Sequence, residues 1–437
     1  MRLKKEIKTI SRQNNNNIET AEYKTAVSFI ESRQAPLFVT GQAGTGKSTF
    51  IRYLREVIGL DAPVIAPTGV AALNVCGQTI HSFFRIPPAL TDPDDLKPLR
   101  NRRLFQQLNY LIIDEISMVR ADLMDLIDIS LRKNTGRENE LFGGVQLILV
   151  GDMFQLPPVI ASKEESGFIY SRYKTPYFLS SFCMNLTKIR ITELTKVFRQ
   201  QDPGFIELLS NIREGNEIAE TVSEFNSRCC TCCRADDGII VLTPDNMTAA
   251  HINNSKLSGI RSKEHVYQGI ITGKFGSDRL PAPLNLKLKI GTQVMFTKND
   301  LNHRWVNGTI GIVKELSDRF VVVETEEKKL SVNRESWENL QYVYDEKKNK
   351  IVSKVTGSYT QFPLIHAWAI TIHKSQGKTF EKVHIDLSRG AFAQGQLYVA
   401  LSRCKTLKGI SLQKPIRVND VKVNPVIKEF YSRIRGS

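Results

Sequence analysis

Gly41-x-x-x-x-Gly46-Lys47-Ser48 sets two glycines, a lysine and a hydroxyl at the spacing of a phosphate-binding loop. Glycines let backbone N–H groups close around phosphate oxygens, and a helix over STFIRYLREVI would add the positive end of its dipole. Lys47 would reach the β- and γ-phosphates and the Ser48 hydroxyl would ligate Mg2+. Gly44, Thr45, Gly46 and Thr49 complete the candidate nucleotide cradle. Asp114 and Glu115 follow in LIIDE. Asp114 would hold Mg2+, directly or through water, while Glu115 orients and deprotonates the attacking water. Adjacent acids on a strand point to opposite faces unless the strand stops there, so this pair needs a strand terminus. Gln155, in VGDMFQLPPV, carries an amide that both donates and accepts, which suits a sensor of the γ-phosphate or the attacking water. Pro157 and Pro158 stiffen the loop behind it. Arg199 and Arg403 sit where a second domain could project a guanidinium at a transferring phosphoryl group. From spacing alone, an ordinary surface ion pair is the better reading of either arginine.

These residues need a frame that brings distant loops together. Four short apolar runs, PLFVTG, PVIAPTG, LIIDE and VQLILVGD, each end in a polar or glycine-rich cluster, and helical patterns separate several of them. Buried runs of that length alternating with helices predict an α/β fold with a parallel sheet, whose chemistry lies just past the carboxyl ends of the strands. All four clusters fall there. Residues 20–31 carry apolar side chains at helical spacing. Residues 79–103, with Pro87, Pro88, Pro93, Pro98 and the pair Phe83–Phe84, are too long for a βα connection and read as an inserted subdomain. A second α/β block begins near Glu193, with GIIVLTP and KVHIDL as strands. Residues 289–359, rich in β-branched residues and turn punctuation, read as an all-β insertion, a small barrel. The expected division is a flexible arm (1–19), a first domain (20–78 and 104–190) interrupted by 79–103, and a second domain (191–288 and 360–437) interrupted by 289–359.

Sixty Lys plus Arg against 45 Asp plus Glu give a net charge of +15. A polyanion, nucleic acid first, is the expected partner. No apolar run approaches the roughly 20 residues of a membrane span, and no apolar segment follows the basic start, so neither a membrane nor a secreted protein is expected. Seven cysteines, with Cys229, Cys230, Cys232 and Cys233 crowded together, form no spaced framework and suit a reducing, cytoplasmic setting. Five consecutive residues cannot easily wrap one tetrahedral zinc, and no second Cys or His pair completes a site.

GQAGTGKST, APTGVAA, TIHSFF, DEISM, VGDMFQLPPV, ELTKVFRQ, VMFTKND with WVNGTIG, AITIHKSQGKTF and YVALSRC occur in this order. In that combination, from residue 37 to about 412, the chain resembles the petite-integration-frequency (PIF) DNA helicases, a superfamily 1 family close to the RecD-type enzymes. SMVRADLMDLIDISLRK resembles the stretch that sets this family apart from other RecD-like helicases. The resemblance implies two RecA-like domains with ATP and Mg2+ between them and single-stranded DNA across their tops. It implies 5′-to-3′ translocation with duplex unwinding, a Src-homology-3-like barrel at 289–359 and a wedge at 79–103. By the same resemblance Arg199 and Arg403 become arginine fingers and Gly377 lines the nucleotide cleft. Thr68, Gly69, His81, Pro158, Thr243, Asn246, His373 and Lys374 become the candidate DNA track. G-quadruplexes and RNA–DNA hybrids as substrates, roles in DNA repair, recombination and telomere maintenance, and a monomer working at the bacterial nucleoid are implied in the same way.

Part of the track has a reading of its own. Backbone donors after PTG and at HKSQG, with Lys374, can hold phosphates, and His81 with Phe83–Phe84 could stack bases. Core packing is the better reading of Phe84, and a structural hydrogen bond suits His373 as well as a phosphate contact does. One departure from the family concerns adenine. Its usual glutamine is missing from IETAEYKTAV, which leaves Gln13 or the Asn run at 14–17 as substitutes, although the run reads first as a solvated arm. Intact Lys47, Glu115, Gln155, Arg199 and Arg403 argue for a motor over a nucleotide-gated clamp. An RNA-directed translocase stays open.

Overall fold

The structure, a computed structural model, describes residues 20–33, 35–229, 238–276, 280–300, 302–388 and 390–435. The expected arm with Gln13 and the Asn run, and Cys230, Cys232 and Cys233, lie outside the described residues.

Six strands, β1 (Leu37–Gly41), β2 (Val64–Ala66), β3 (Gln78–Thr79), β4 (Tyr110–Ile113), β5 (Gln146–Val150) and β6 (Arg190–Leu194), form one sheet in the order β3-β2-β4-β5-β1-β6. Every pairing is parallel. The four apolar runs are β1, β2, β4 and β5. Their alternate residues feed two cores, which is why the runs carry no polar alternation. Phe38, Ile65, Leu111 and Leu147 join one core with the helix Ala121–Thr135. Leu37, Val64, Ile112 and Ile148 join the other with the helices Ala21–Ser32 and Lys47–Arg52. Phe83 and Phe84 lie in the first of these cores, edge to face at 4.9 Å and 5% and 2% exposed. Neither ring is available to stack on a base in this form.

The chain then forms β7 (Ile240–Thr243) and enters an all-β region. This comprises β8 (His265–Gln268), β9 (Ile270–Gly273), β10 (Asn285–Leu288), β11 (Gln293–Phe296), β12 (Ile310–Leu316), β13 (Phe320–Glu324), β14 (Lys329–Asn333), β15 (Glu335–Asp345), β16 (Lys350–Gln361) and β17 (Leu364–His366). These make antiparallel sheets β14-β13-β12-β11-β17, β15-β16-β9 and β10-β8. The chain returns in β18 (Ala369–Thr371), β19 (Val383–Ile385) and β20 (Ile410–Leu412), which complete a second parallel sheet, β18-β7-β19-β20.

Three edges differ from the expected division. β6 pairs with β1 along its length, so the first sheet runs to Leu194, past the expected boundary at residue 190. All-β structure begins at His265 instead of residue 289, because Tyr267, Leu286 and Leu288 share a core with Val294, Val313, Val323 and Phe362. The last helix, Pro425–Arg435, was expected in the second domain, yet Ile427 and Tyr431 are buried in the first domain's core. Apolar residues one helical turn apart seek whichever apolar groove they fit, and sequence distance does not enter.

The β15–β16 hairpin also reaches the first domain. Tyr342 accepts a hydrogen bond from the Val64 amide at 3.2 Å, its own amide donates to Gln78 Oε1 at 3.3 Å, and its ring lies 6.1 Å from Phe83. Beyond it, Arg103 pairs with Glu346.

Candidate active site and nucleic-acid track

β1 delivers the phosphate loop. Gly44 (φ +86°) and Gly46 (φ +88°) adopt left-handed backbone, and a Cβ on Gly44 would sit 2.6 Å from the Arg199 Cβ. Lys47 Nζ donates to the carbonyls of Gly41 (2.6 Å) and Gln42 (2.9 Å), closing the loop on itself. Burial pushes this ammonium down to about 8, against the pull of Asp152 and Glu115. Thr45 is buried and donates to the Gln42 carbonyl; Ser48 is exposed and Thr49 partly so.

β4 ends at Ile113, and Glu115 turns the chain with φ +50°. That turn is the strand terminus the acid pair requires. Burial and then the Glu115 charge push the Asp114 carboxyl up to about 7. Burial also raises Glu115, opposed by Lys47 and Arg403. Asp114 and Ser48 offer hard oxygen donors of the kind Mg2+ takes, one or two from protein with phosphate and water supplying the rest. Among the described residues no group of three or more His, Cys, Asp or Glu could hold a metal.

Past β5, Gln155 is buried and its Nε2 donates to Asp152 Oδ2 at 3.2 Å. Asp152 in turn forms a fully buried ion pair with Arg213, 2.9 Å, from the helix Pro203–Glu214. Burial works against the Asp152 charge, but Arg213 holds its carboxyl below the usual range. The Arg213 guanidinium lies 4.5 Å from the Phe154 ring centroid and 5.3 Å from that of Tyr431, whose hydroxyl bonds to Thr40 of β1. Sequence reasoning missed Asp152 and Arg213. Asp152 carries the signal Asp114 did, an acid just after a buried run, whereas nothing marks Arg213 among 60 basic residues.

Arg199 and Arg403 do meet. Arg199 leaves the end of β6, so it belongs to the first sheet's side of the cleft, and its Nη1 donates to the Ser402 carbonyl at 3.0 Å. Arg403 is 1% exposed, with Nε donating to Val399 O (2.9 Å) and Nη2 to Ser402 Oγ (2.8 Å). Burial, then Arg199, lowers it to about 9. Its Nη1 reaches toward the carbonyls of Ser375 and Lys378, which bracket Gly377 (φ +72°). Two further contacts seal the cleft. The Tyr398 hydroxyl accepts from the Ala43 amide at 2.8 Å. Gly395, with φ +68°, lies so close to the Phe154 and Gln155 carbonyls that a Cβ would sit within 2.3–2.5 Å of them. The candidate nucleotide loop, the acid pair, Gln155 and both arginines therefore converge between the two parallel sheets.

The track residues fall past strand ends in two groups. Thr68 caps the helix Gly69–Asn74 after β2, accepting from the Ala71 amide, and the half-buried His81 follows the neighbouring β3. Asn246 opens the helix Asn246–Gly259 after β7, exposed; His373 and Lys374 follow the paired β18. Lys374 is exposed, and burial lowers the His373 imidazole. Two of the eight turn inward in this form. Thr243 is fully buried with its hydroxyl spent on the Asp245 carbonyl, and Pro158 is buried.

This arrangement has counterparts. The PIF1-like helicase family model matches residues 14–223. The ATP-dependent DNA helicase Pif1 of Bdellovibrio bacteriovorus is 33% identical over 433 residues, 95% of this chain and 92% of the relative. The chain belongs to the PIF1-like helicase family. Unliganded Pif1 from Bacteroides sp. superposes with a TM-score of 0.86 at 38% identity, covering 96% of this chain and 97% of that one. Bacteroides Pif1 bound to single-stranded DNA, at the same identity and 95% and 97% coverage, gives 0.69. Both likenesses support two RecA-like domains for the parallel sheets. The chain spans between 54% and 62% of the length of three longer eukaryotic relatives. Among the described residues no helix is long and apolar enough to cross a membrane.

Proposed function

We propose that the protein is an ATP-dependent DNA helicase that moves 5′ to 3′ on single-stranded DNA and opens duplex ahead of it. The observation that supports this best is the meeting of Arg199 and Arg403, one from each side of the cleft, around a phosphate loop with Glu115 opposite. An arginine that reaches the transferring phosphoryl group only when two domains close couples closure to hydrolysis. In this reading Lys47 leaves its carbonyl partners to hold the β- and γ-phosphates, while Gly44, Thr45, Gly46, Ser48, Thr49 and Gly377 line the nucleotide. Glu115 takes the proton of a water that Gln155 orients. Ser48 and Asp114 would hold Mg2+, which when bound neutralises phosphate charge. Thr68, Gly69, His81, Pro158, Thr243, Asn246, His373 and Lys374 carry the strand past the tops of both sheets, and the +15 net charge favours it. Thr243 and Pro158 need the domains to move before they can touch it. We extend the proposal to G-quadruplexes and RNA–DNA hybrids, to a wedge at 79–103, and to a monomer in the cytoplasm at the nucleoid.

The test is strand separation, with ATP and Mg2+, on duplexes carrying a 5′ or a 3′ single-stranded tail. Opening of the 5′-tailed duplex alone is the expected result. Opening of only the 3′-tailed one would reverse the polarity. If neither opens while ATP hydrolysis still rises with single-stranded DNA, the protein is a translocase without a working wedge.

A further inference from the structure

Gln200 has no part in the chemistry above, yet it sits at its centre. It is 2% exposed and directly follows Arg199. Its Nε2 donates to the carbonyls of Ser402 (3.2 Å) and Cys404 (2.9 Å), the two residues that flank Arg403. Both amide protons of one side chain are thus spent on the backbone either side of one arginine. Arg199 Nη1 shares the Ser402 carbonyl. On the other side, Gln200 Oε1 lies 3.5 Å from the position a Gly44 Cβ would take, and the Phe198 amide donates to the Gly44 carbonyl at 2.9 Å. One short segment, residues 198–200, therefore touches the phosphate loop and grips the Arg403 backbone from both ends.

A guanidinium contributes at a transferring phosphoryl group only when it is aligned to a fraction of an ångström. Arg403 lies two residues past a short helix, Gln396–Leu401; its own amide donates to the Ala400 carbonyl at 3.2 Å and its carbonyl accepts from the Phe380 amide at 2.9 Å, and the Gln200 amide adds a hold on the residue at either side. We infer that Gln200 is a positioning residue for Arg403, and that by sharing a peptide with Arg199 it fixes the spacing of the two guanidinium groups across the domain boundary. The inference rests on the proposed reading of both arginines as groups that act on the phosphoryl being transferred.

The experiment is a double-mutant cycle on the full chain, read as kcat and KM for DNA-stimulated ATP hydrolysis together with the Kd of a fluorescent ADP analogue. Gln200→Met keeps length and loses both donors. Gln200→Asn keeps the amide but withdraws it by one methylene, and serves if the first variant does not fold. Either should lower kcat by about 10²-fold, the cost of a misplacement of about 1 Å, with the analogue's Kd changed less than about twofold. In an Arg403→Ala background the same substitution should change kcat less than about twofold, because the group it positions is gone. A full further loss in that background would mean Gln200 acts independently of Arg403 and would overturn the inference, as would a nucleotide-binding Gln200 variant with undiminished kcat. Arg403→Ala separates the two levels. If that variant hydrolyses ATP normally, the arginine reading fails; if it is impaired while both Gln200 variants are normal, only the positioning role falls.

Discussion

Lys47 is the residue on which the proposed nucleotide chemistry turns, and burial in its present place sets its titration. Two carbonyls hold the ammonium in the loop, and burial lowers it to about 8. Phosphate binding needs the charged form. Above pH 8 the free protein should lose it, so kcat/KM for ATP should fall about tenfold per pH unit toward pH 9.5. A flat profile over that range would mean Lys47 stays charged. Lys47→Ala should abolish DNA-stimulated hydrolysis outright, measured as phosphate release. Arg403→Ala should leave nucleotide affinity in place and slow hydrolysis by about 10³-fold, the loss expected of an arginine finger. Lys47 could be singled out from a short string, because its candidate role depends on local spacing, whereas spacing alone made Arg403 an ordinary surface ion pair and only the family resemblance singled it out. Which side of the cleft supplies Arg199 was not readable. That followed only from the pairing of β6 with β1.

Among elements, the helices Pro203–Glu214 and Pro425–Arg435 brace the loop after β5 through Asp152 and Phe154. Arg213 and Asp152 form an ion pair with neither side chain exposed, and removing one partner strands a buried charge at a cost of about 3–5 kcal/mol. Arg213→Met should therefore lower the thermal midpoint by several degrees at neutral pH, read by calorimetry. The Asp152 carboxyl sits below its ordinary value, so its contribution is present above the unfolded carboxylate pKa and lost as pH falls through the folded one. In the variant Arg213 no longer opposes burial, so the stranded carboxyl takes up its proton at a higher pH than in the parent, and the gap between variant and parent should narrow as pH falls from neutral. The strands were legible because buried runs ending in polar clusters encode a two-faced parallel sheet. The bracing was not, since the fit of Ile427 and Tyr431 against Phe154 is a property of packed surfaces. β8 and β10 escaped notice for a related reason: four residues each, they gain a core only from β11 to β17.

At the scale of the molecule, the β15–β16 hairpin holds the arrangement together as well as the cleft does. Tyr342 packs against Phe83 and bonds at Val64 and Gln78. The structure superposes better on Bacteroides Pif1 without DNA, whether unliganded (0.86) or in complex with ADP-AlF4 (0.87), than on the form bound to single-stranded DNA (0.69). If the hairpin's hold belongs to the free state alone, loosening it shifts the population toward the DNA-competent one. Tyr342→Ala should then tighten the Kd for oligo(dT) by up to about tenfold, measured by fluorescence anisotropy at fixed salt. An unchanged Kd would show that the contact survives DNA binding.

The helix Pro425–Arg435 carries one more consequence, for the order in which the protein is made. It fills a seam in the core that β1 to β6 begin, yet residues 195–424 are synthesised between them. The first domain leaves the ribosome with an apolar groove open around Phe38 and Phe154, and keeps it open until the whole second domain has emerged. Domains tend to fold as they appear, and long-range closure is slow and exposes sticky surface. For this chain the core of the first sheet is completed only after the second domain has been made, so a nascent chain stalled before residue 425 is expected to be a client for chaperones.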